Sequence, residues 1–91
     1  MLILISYDIA EDKPRTRLAK KLLDFGPRVQ KSVFEADVNT DELMKLKELL
    51  AKVDLEAEDS IRLYRLCAEC KKSVHIWGVG EVTEDKDFYI V

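Results

Sequence analysis

The chain has 91 residues, of which 47% are hydrophobic and 36% charged, and its formal net charge is −3. This length suits one small domain, so a single domain over residues 1–91 is predicted. No segment resembles a signal peptide and no apolar run is long enough to cross a bilayer, so we expect a cytoplasmic location and no membrane partner. The negative net charge argues against a general nucleic-acid binder, but the charges are unevenly distributed.

The basic residues are concentrated between residues 13 and 31, where seven bases and one acid give a local charge of +6, against −9 for the remainder. A basic surface on an acidic body can contact the phosphates of a polyanion. A solvated helix face accounts for the same pattern equally well, so both interpretations stay open. The candidate nucleic-acid-binding residues in this stretch are Arg15, Arg17, Lys20, Lys21, Arg28 and Lys31.

The first predicted element is an apolar strand from Met1 to Tyr7, with Asp8 at its end. Ligands of open α/β sheets bind at the carboxyl ends of strands, so an acid there is well placed to meet a metal or a substrate. A hard cation and arginine both bind phosphoryl oxygens, which makes this strand-to-helix junction suited to phosphate chemistry.

The first helix is predicted from about Asp12 to Phe25, with Asp12 as N-cap and Gly26 as the terminating residue. Arg17 faces solvent at 100° per residue. Arg15 lies on the apolar side near the helix start, where we expect it to lean towards Asp8, or to pair with Asp8 or Glu11.

The second strand region, Arg28–Val38, loses its alternation near Lys31 and Ser32, which predicts a bulge or a break into two short strands. A second helix is predicted from about Thr40 to Val53, and Asn39 and Glu42 have capping-box spacing.

Two further strands are predicted at Ser60–Leu66 and Ser73–Trp77, and the chain ends in the apolar residues Phe88–Val91. The order β-α-β-β-α-β-β predicts an α+β, ferredoxin-like sandwich with two helices on one face of an antiparallel sheet and an extra C-terminal strand. The other sheet face then needs a partner. We expect a twofold dimer in which the segment from residue 78 to 91 pairs with the partner protomer.

Cys67 and Cys70 form a single C-x-x-C motif. Structural zinc takes four ligands, and one such pair supplies two. The motif follows a predicted strand and precedes Lys71 and Lys72, so we predict a plain connecting loop. A four-cysteine site across a dimer axis, or a redox role, remains the alternative.

Three stretches together resemble a known family: Tyr7-Asp8-Ile9, the Arg15-x-Arg17 helix start, and residues 26–35 with the sequence GPRVQKSVFE. The chain resembles the small CRISPR-associated Cas two proteins, partners of the adaptation integrase Cas one, over essentially its whole length. Ala36 departs from the pattern, since many relatives have glycine there. The cysteine-bearing loop and acidic tail belong to the variable region of the family.

The resemblance implies a ferredoxin-like homodimer with Asp8 from each protomer as the metal ligand and magnesium as the expected ion, manganese being possible. The residues it places around the catalytic cleft are Asp8, Tyr7, Arg15, Arg17, Arg28, Ser32 and Phe34. Burial habits favour a core position for Phe34 over a base-stacking one.

Two classes of function follow from the resemblance. One is a metal-dependent endonuclease acting on RNA or DNA, in which the metal does most of the chemistry because no histidine lies near Asp8. The other is an adaptor without catalysis that bridges integrase subunits and spans a DNA duplex. A toxin-like ribonuclease of the same superfamily is a third interpretation. The expected partners are a second copy, the Cas one integrase, and duplex DNA or single-stranded RNA.

Overall fold

Strand β1 (Leu2–Asp8) lies inside an antiparallel sheet and is hydrogen-bonded on both edges, in a computed structural model that describes residues 1–83. One edge pairs with β3 (Val33–Asp37) and the other with β4 (Ser60–Leu66). With β2 (Arg28–Gln30) beside β3, the strand order is β2-β3-β1-β4. The remaining elements of the described chain are α1 (Asp12–Leu22), α2 (Thr40–Ala51) and α3 (Ala68–Lys72).

The hydrophobic core lies between one face of this sheet and the helices α1 and α2. Side chains alternate along a strand, so every second residue of β1 and β3 faces the helices. These residues pack against the apolar stripe of α1 and against Leu46 of α2. The buried set is Ile3, Ile5, Tyr7, Ile9, Leu18, Ala19, Leu22, Phe34, Ala36, Val38 and Leu46. The predicted α+β architecture, with a four-stranded antiparallel sheet, is confirmed.

The opposite face of the sheet carries the alternate residues, which are more polar. Leu4 and Ser6 of β1 are half-buried and Asp8 is exposed. The segment after α3 reaches this face, because the Thr83 hydroxyl donates a hydrogen bond to Glu35 Oε1 at 2.8 Å. No helix in residues 1–83 is long and apolar enough to span a membrane.

The predicted irregularity in the second strand region is confirmed as two short strands, β2 and β3. Their pairing shifts register between Arg28, which faces Phe34, and Gln30, which faces Val33. The capping box of α2 is also confirmed: the Asn39 side chain accepts from the Glu42 N–H at 2.8 Å, and Glu42 Oε1 accepts from the Asn39 N–H at 3.1 Å. Helix α2 ends at Ala51, two residues earlier than predicted.

Helix α1 differs from the prediction at both ends. Asp12 is its first helical residue, and the N-cap is Glu11, which makes no side-chain cap bond. The Asp12 carboxylate is instead bound by Arg15, which removes it from capping. The helix ends at Leu22, and a tighter turn follows in which the Phe25 N–H bonds to the Leu22 carbonyl at 2.9 Å.

The strand predicted at Ser73–Trp77 is wrong, as is the plain loop predicted for the two cysteines. Cys67 and Cys70 lie in the first turn of helix α3. Residues 73–77 contain no strand, because a strand needs a neighbour to pair with and no described strand pairs with this segment. The predicted strand at Phe88–Val91 lies outside the described residues.

Gly26 brings the end of α1 against the backbone of β3. A Cβ atom added there would lie 1.9 Å from the Glu35 carbonyl oxygen and 2.8 Å from the Ala36 Cα. Both are backbone atoms of a central part of the sheet, so neither side can move away without disturbing strand pairing. Gly26 is therefore required because its Cα lies too close to the backbone of β3 to leave room for a side chain.

Replacing Gly26 with alanine should destabilise the protein by about 3 kcal/mol, since overpacking against a fixed backbone costs in this range. The matched variant is Gly78→Ala, where nothing lies within 4 Å of the added Cβ and only the left-handed φ of 91° opposes it. That conformation costs about 1–2 kcal/mol. Urea unfolding of the two variants measures both, and equal losses would contradict the close-approach explanation.

Candidate nucleic-acid cleft

A cleft of about 630 Å³ opens where β1 ends, between α1 and the turn joining β2 to β3. Residues that are distant in sequence line it because β1 and β3 are paired and α1 packs over them. Seven of the predicted site residues line this cleft, namely Tyr7, Asp8, Arg15, Lys20, Arg28, Lys31 and Ser32. Arg17 and Lys21 are exposed outside it, and Phe34 is buried beside Tyr7.

The Asp8 carboxylate is exposed and forms no hydrogen bond or ion pair with the residues that the structure describes. Its backbone pairs with Ser60 of β4, which holds the residue at the last position of the sheet. Within residues 1–83, no three His, Cys, Asp or Glu side chains come close enough to hold a metal ion together. One protomer thus presents Asp8 as a single unengaged carboxylate at the mouth of the cleft.

Tyr7 and Arg28 line the cleft, and both contact the ring of Phe34 behind it. The rings of Tyr7 and Phe34 are 6.2 Å apart at an interplanar angle of 28°. The Arg28 guanidinium lies 5.3 Å from the centroid of the Phe34 ring, within the range of a cation–π contact. Phe34 is fully buried, as burial habits predicted. Its ring supports the cation of Arg28 and is not open to solvent.

Ser32 joins the turn between β2 and β3 to the end of β1. Its carbonyl oxygen accepts a hydrogen bond from the Tyr7 N–H at 3.1 Å. The neighbouring Lys31 is exposed in the same turn. The bond keeps the turn next to Asp8, so the charge of Lys31 stays on the rim of the cleft.

Arg15 lines the same cleft as Asp8, but the expected pairing of its guanidinium with Asp8 or Glu11 is wrong. Its guanidinium donates to the carbonyl oxygens of Ile9 and Ala10, both at 3.1 Å, and to the Asp12 carboxylate. Ile9 and Ala10 belong to the short connection between β1 and α1, and Asp12 is the first residue of α1. The cation therefore holds the loop that follows Asp8 in place.

Asp59 holds the same loop from the other side and was not predicted from the sequence. Its Oδ1 accepts from the Ala10 N–H at 3.2 Å, and its Oδ2 accepts from the Glu56 N–H at 3.0 Å. A side chain of α1 and one from the loop before β4 thus bind the C=O and the N–H of Ala10, respectively. In the sequence, Asp59 is only an acid just before a predicted strand. It reaches Ala10 because β4 pairs antiparallel with β1.

The electrostatic pattern of the cleft is one carboxylate among several cations. Lys20, Arg28 and Lys31 surround the opening on three elements, and all three are exposed. Cations around one cleft can bind phosphate oxygens, while the unengaged acid can bind a hard divalent cation. The fold and the cleft define a small α+β protein suited to phosphate-bearing ligands.

The comparisons with known proteins identify the family. The family model described as CRISPR associated protein Cas2 matches residues 1–74, and the chain belongs to this family. A relative from Chloroflexus aurantiacus, named CRISPR-associated endoribonuclease Cas2 1, is 41% identical over 93 residues and 100% of each chain is covered. The family resemblance noted in the sequence is confirmed.

Solved structures agree with this assignment. Cas2 of Streptococcus pyogenes is 35% identical with a TM-score of 0.72, over 86% of this chain and 100% of that one. A chain from a partial Cas6-RT-Cas1–Cas2 complex is 33% identical with a TM-score of 0.70, over 82% of this chain and 88% of that one.

Replacing Asp59 with alanine should loosen the connection between β1 and α1, because the Ala10 and Glu56 amides lose their acceptors. Hydrogen exchange of both amides should accelerate, and the free energy of unfolding should fall by about 1 kcal/mol. Asp54→Ala is the matched control, since this exposed acid of the same loop forms no hydrogen bond or ion pair with the described residues. Unchanged protection of the Ala10 amide would show that the Asp59 bond does not hold the loop.

Proposed function

We propose that this protein is a metal-dependent endoribonuclease of CRISPR adaptation that works as a homodimer in the cytoplasm. The observation that carries the proposal is the unengaged Asp8 carboxylate in a cleft rimmed by cations. Membership of the Cas2 family supports the proposal, since relatives of this chain are named CRISPR-associated endoribonuclease Cas2. The substrate is a phosphodiester, with single-stranded RNA as the first choice and DNA as a further one.

Asp8 is the residue proposed to hold the metal, with Mg²⁺ as the expected ion and Mn²⁺ as a substitute. The donor chemistry fits, because Mg²⁺ keeps several water ligands and is often held by one or two carboxylates. One protomer offers Asp8 alone, and a twofold axis would add the partner's Asp8. When bound, the metal lowers the pKa of a bound water and neutralises charge on the phosphoryl group.

The basic side chains around Asp8 are proposed to bind and orient the phosphodiester. Arg28 is positioned for this by its contact with the Phe34 ring, and Lys20 and Lys31 lie on either side of the opening. The Arg15 side chain already serves three acceptors, so its role is to position the backbone next to Asp8. Tyr7 is proposed to shape the cleft beside Ser32, whose carbonyl its N–H contacts.

A homodimer through the open sheet face is part of the proposal. Tyr64 lies on this face, since its neighbour Leu63 packs against the core on the other side, and it is 44% exposed. Trp77 and Val79 follow α3 and are also largely exposed. Apolar side chains in such numbers on a small domain favour burial against a second copy. The segment from residue 78 to 91 is proposed to pair with the partner protomer's sheet.

An adaptor role in spacer acquisition is the second candidate. Its support is the homologous chain in the partial Cas6-RT-Cas1–Cas2 complex and the exposed bases of α1 outside the cleft, Arg17 and Lys21. Phosphate contacts from this helix face give affinity for a duplex without sequence readout. In this role the dimer bridges Cas1 subunits along DNA, and the Asp8 carboxylate is not needed.

Asp8→Asn should abolish cleavage of RNA and of DNA while dimerisation and duplex binding persist, because the amide keeps the size of the side chain and removes its charge. Cleavage assays with Mg²⁺ and sedimentation measure the two properties. Asp54→Asn, an equivalent change on an exposed acid that does not line the cleft, should cleave at the parent's rate. Cleavage at the parent's rate by highly purified Asp8→Asn protein would place the activity elsewhere or in a contaminant.

The same variant separates the two candidates. Spacer integration in the presence of Cas1 should proceed with Asp8→Asn if the chain also acts as a scaffold. An integration defect with an intact dimer would instead make the Asp8 carboxylate part of the adaptor function.

Reversing the charges of Lys20 and Lys21 to glutamate should weaken duplex binding, because fewer counterions are released on binding. The slope of log affinity against log salt should fall by about 0.9 for each lost phosphate contact. The control is the same reversal of Lys45 and Lys47, two exposed lysines of α2. Equal losses in both variants would mean that only net charge matters and that α1 is not the contact surface.

A further inference from the structure

Cys67 and Cys70 lie together in one turn of the chain. Cys67 is the N-cap of α3, and its Sγ accepts a hydrogen bond from the Cys70 N–H at 3.3 Å. Residues three apart are neighbours on one side of a helix. Both cysteines are exposed and neither forms a disulfide. A reagent in solution can therefore reach two adjacent thiols.

The two thiols also affect each other's protonation in opposite directions. The Cys70 backbone N–H, with the Cys70 side chain, lowers the pKa of the Cys67 thiol. The hydrogen bond that the Cys70 thiol donates to Cys67, together with the charge on Cys67, raises the pKa of Cys70. A thiolate is the nucleophile in sulfur exchange. Cys67 is thus suited to react first, while Cys70 remains a protonated thiol beside it.

A metal site within one protomer is not what this pair provides. Structural zinc takes four ligands, and no group of three His, Cys, Asp or Glu side chains comes together in residues 1–83. Two exposed neighbouring thiols are sufficient for one other chemistry, the formation of a disulfide across a four-residue turn.

We propose that Cys67 and Cys70 form a dithiol site that undergoes reversible exchange with low-molecular-weight disulfides. The Cys67 thiolate attacks one sulfur of the small disulfide, forms a mixed disulfide and releases the other sulfur as a thiolate, which is protonated by water. The Cys70 thiol then loses its proton and attacks Cys67 Sγ, and the second small thiol leaves. The protein loses two electrons, and the small disulfide gains them and becomes two thiols.

The site lies at the opposite end of the sheet from Asp8. Leu66, the residue before Cys67, pairs with Leu2 at the start of β1, whereas Asp8 pairs with Ser60. A seven-residue strand spans about 20 Å. Oxidation of the two thiols would affect the turn that follows β4. The chain continues from this turn to Thr83, whose hydroxyl bonds to Glu35. The inference is therefore independent of the nuclease activity proposed above.

The test uses the full, reduced chain in buffers of rising ratio of oxidised to reduced glutathione, followed by alkylation and mass spectrometry of the peptide that holds both cysteines. The parent should lose both alkylation sites together and two hydrogens in mass, and dithiothreitol should restore them. Cys70→Ser should accumulate glutathione on Cys67. At neutral pH, Cys67→Ser should form its mixed disulfide at Cys70 several-fold more slowly than Cys70→Ser forms its mixed disulfide at Cys67.

Three results would overturn the proposal. The thiols could stay reduced even in a large excess of oxidised glutathione, or each cysteine could carry its own glutathione with no internal disulfide. The third is that added Zn²⁺ alone binds four thiolates from two chains and that this zinc complex blocks the exchange. Circular dichroism of each serine variant checks that the fold is retained, which a solvent-exposed turn should allow.

Discussion

Strand β1 hydrogen-bonds to β3 along one edge and to β4 along the other, and these two pairings bring separate parts of the chain to the end of β1 where Asp8 lies. The first pairing brings the turn that carries Lys31 and Ser32 to the end of β1. The second brings the loop that carries Asp59 to the same end. Because residues alternate between faces, Tyr7 enters the core while Asp8 is left exposed beside it.

The loop after Asp8 is held by two charged side chains, one of which, Arg15, was expected to contact the ligand, while the other, Asp59, was not predicted. Arg15 binds the carbonyls of Ile9 and Ala10, and Asp59 binds the Ala10 N–H. Hydrogen bonds to charged groups are stronger than neutral ones. Both the C=O and the N–H of the Ile9–Ala10 peptide are therefore bound, which restrains this short connection. The restraint keeps the Asp8 carboxylate at a defined place at the mouth of the cleft, and the carboxylate oxygens remain available to a ligand.

The two ends of the sheet carry different chemistry. The end at Asp8 gathers cations from α1 and from the turn between β2 and β3 around one carboxylate, which suits phosphate and a hard metal. The end at Leu66 leads into the two exposed thiols, which suit soft sulfur chemistry. Antiparallel pairing separates the ends by the length of β1, so a change at one end need not alter the other.

The sequence by itself determined several local elements and indicated most of the residues that line the cleft. The apolar run of β1, the capping box at Asn39 and Glu42, and the broken alternation before Val33 each depend on neighbouring residues, and all three were predicted correctly. The Tyr7-Asp8, Arg15-x-Arg17 and GPRVQKSVFE motifs were sufficient to indicate the family.

Only the tertiary structure decided what the charged side chains contact. The acceptors of Arg15 depend on the path of the loop after β1, and the role of Asp59 depends on a contact between residues 49 positions apart. The failure at Ser73–Trp77 has the same origin, because β-prone residues form a strand only where a neighbouring edge can pair with them. Local propensity and periodicity act within a few residues, whereas hydrogen-bond partners across the sheet are selected by the packing of the whole chain.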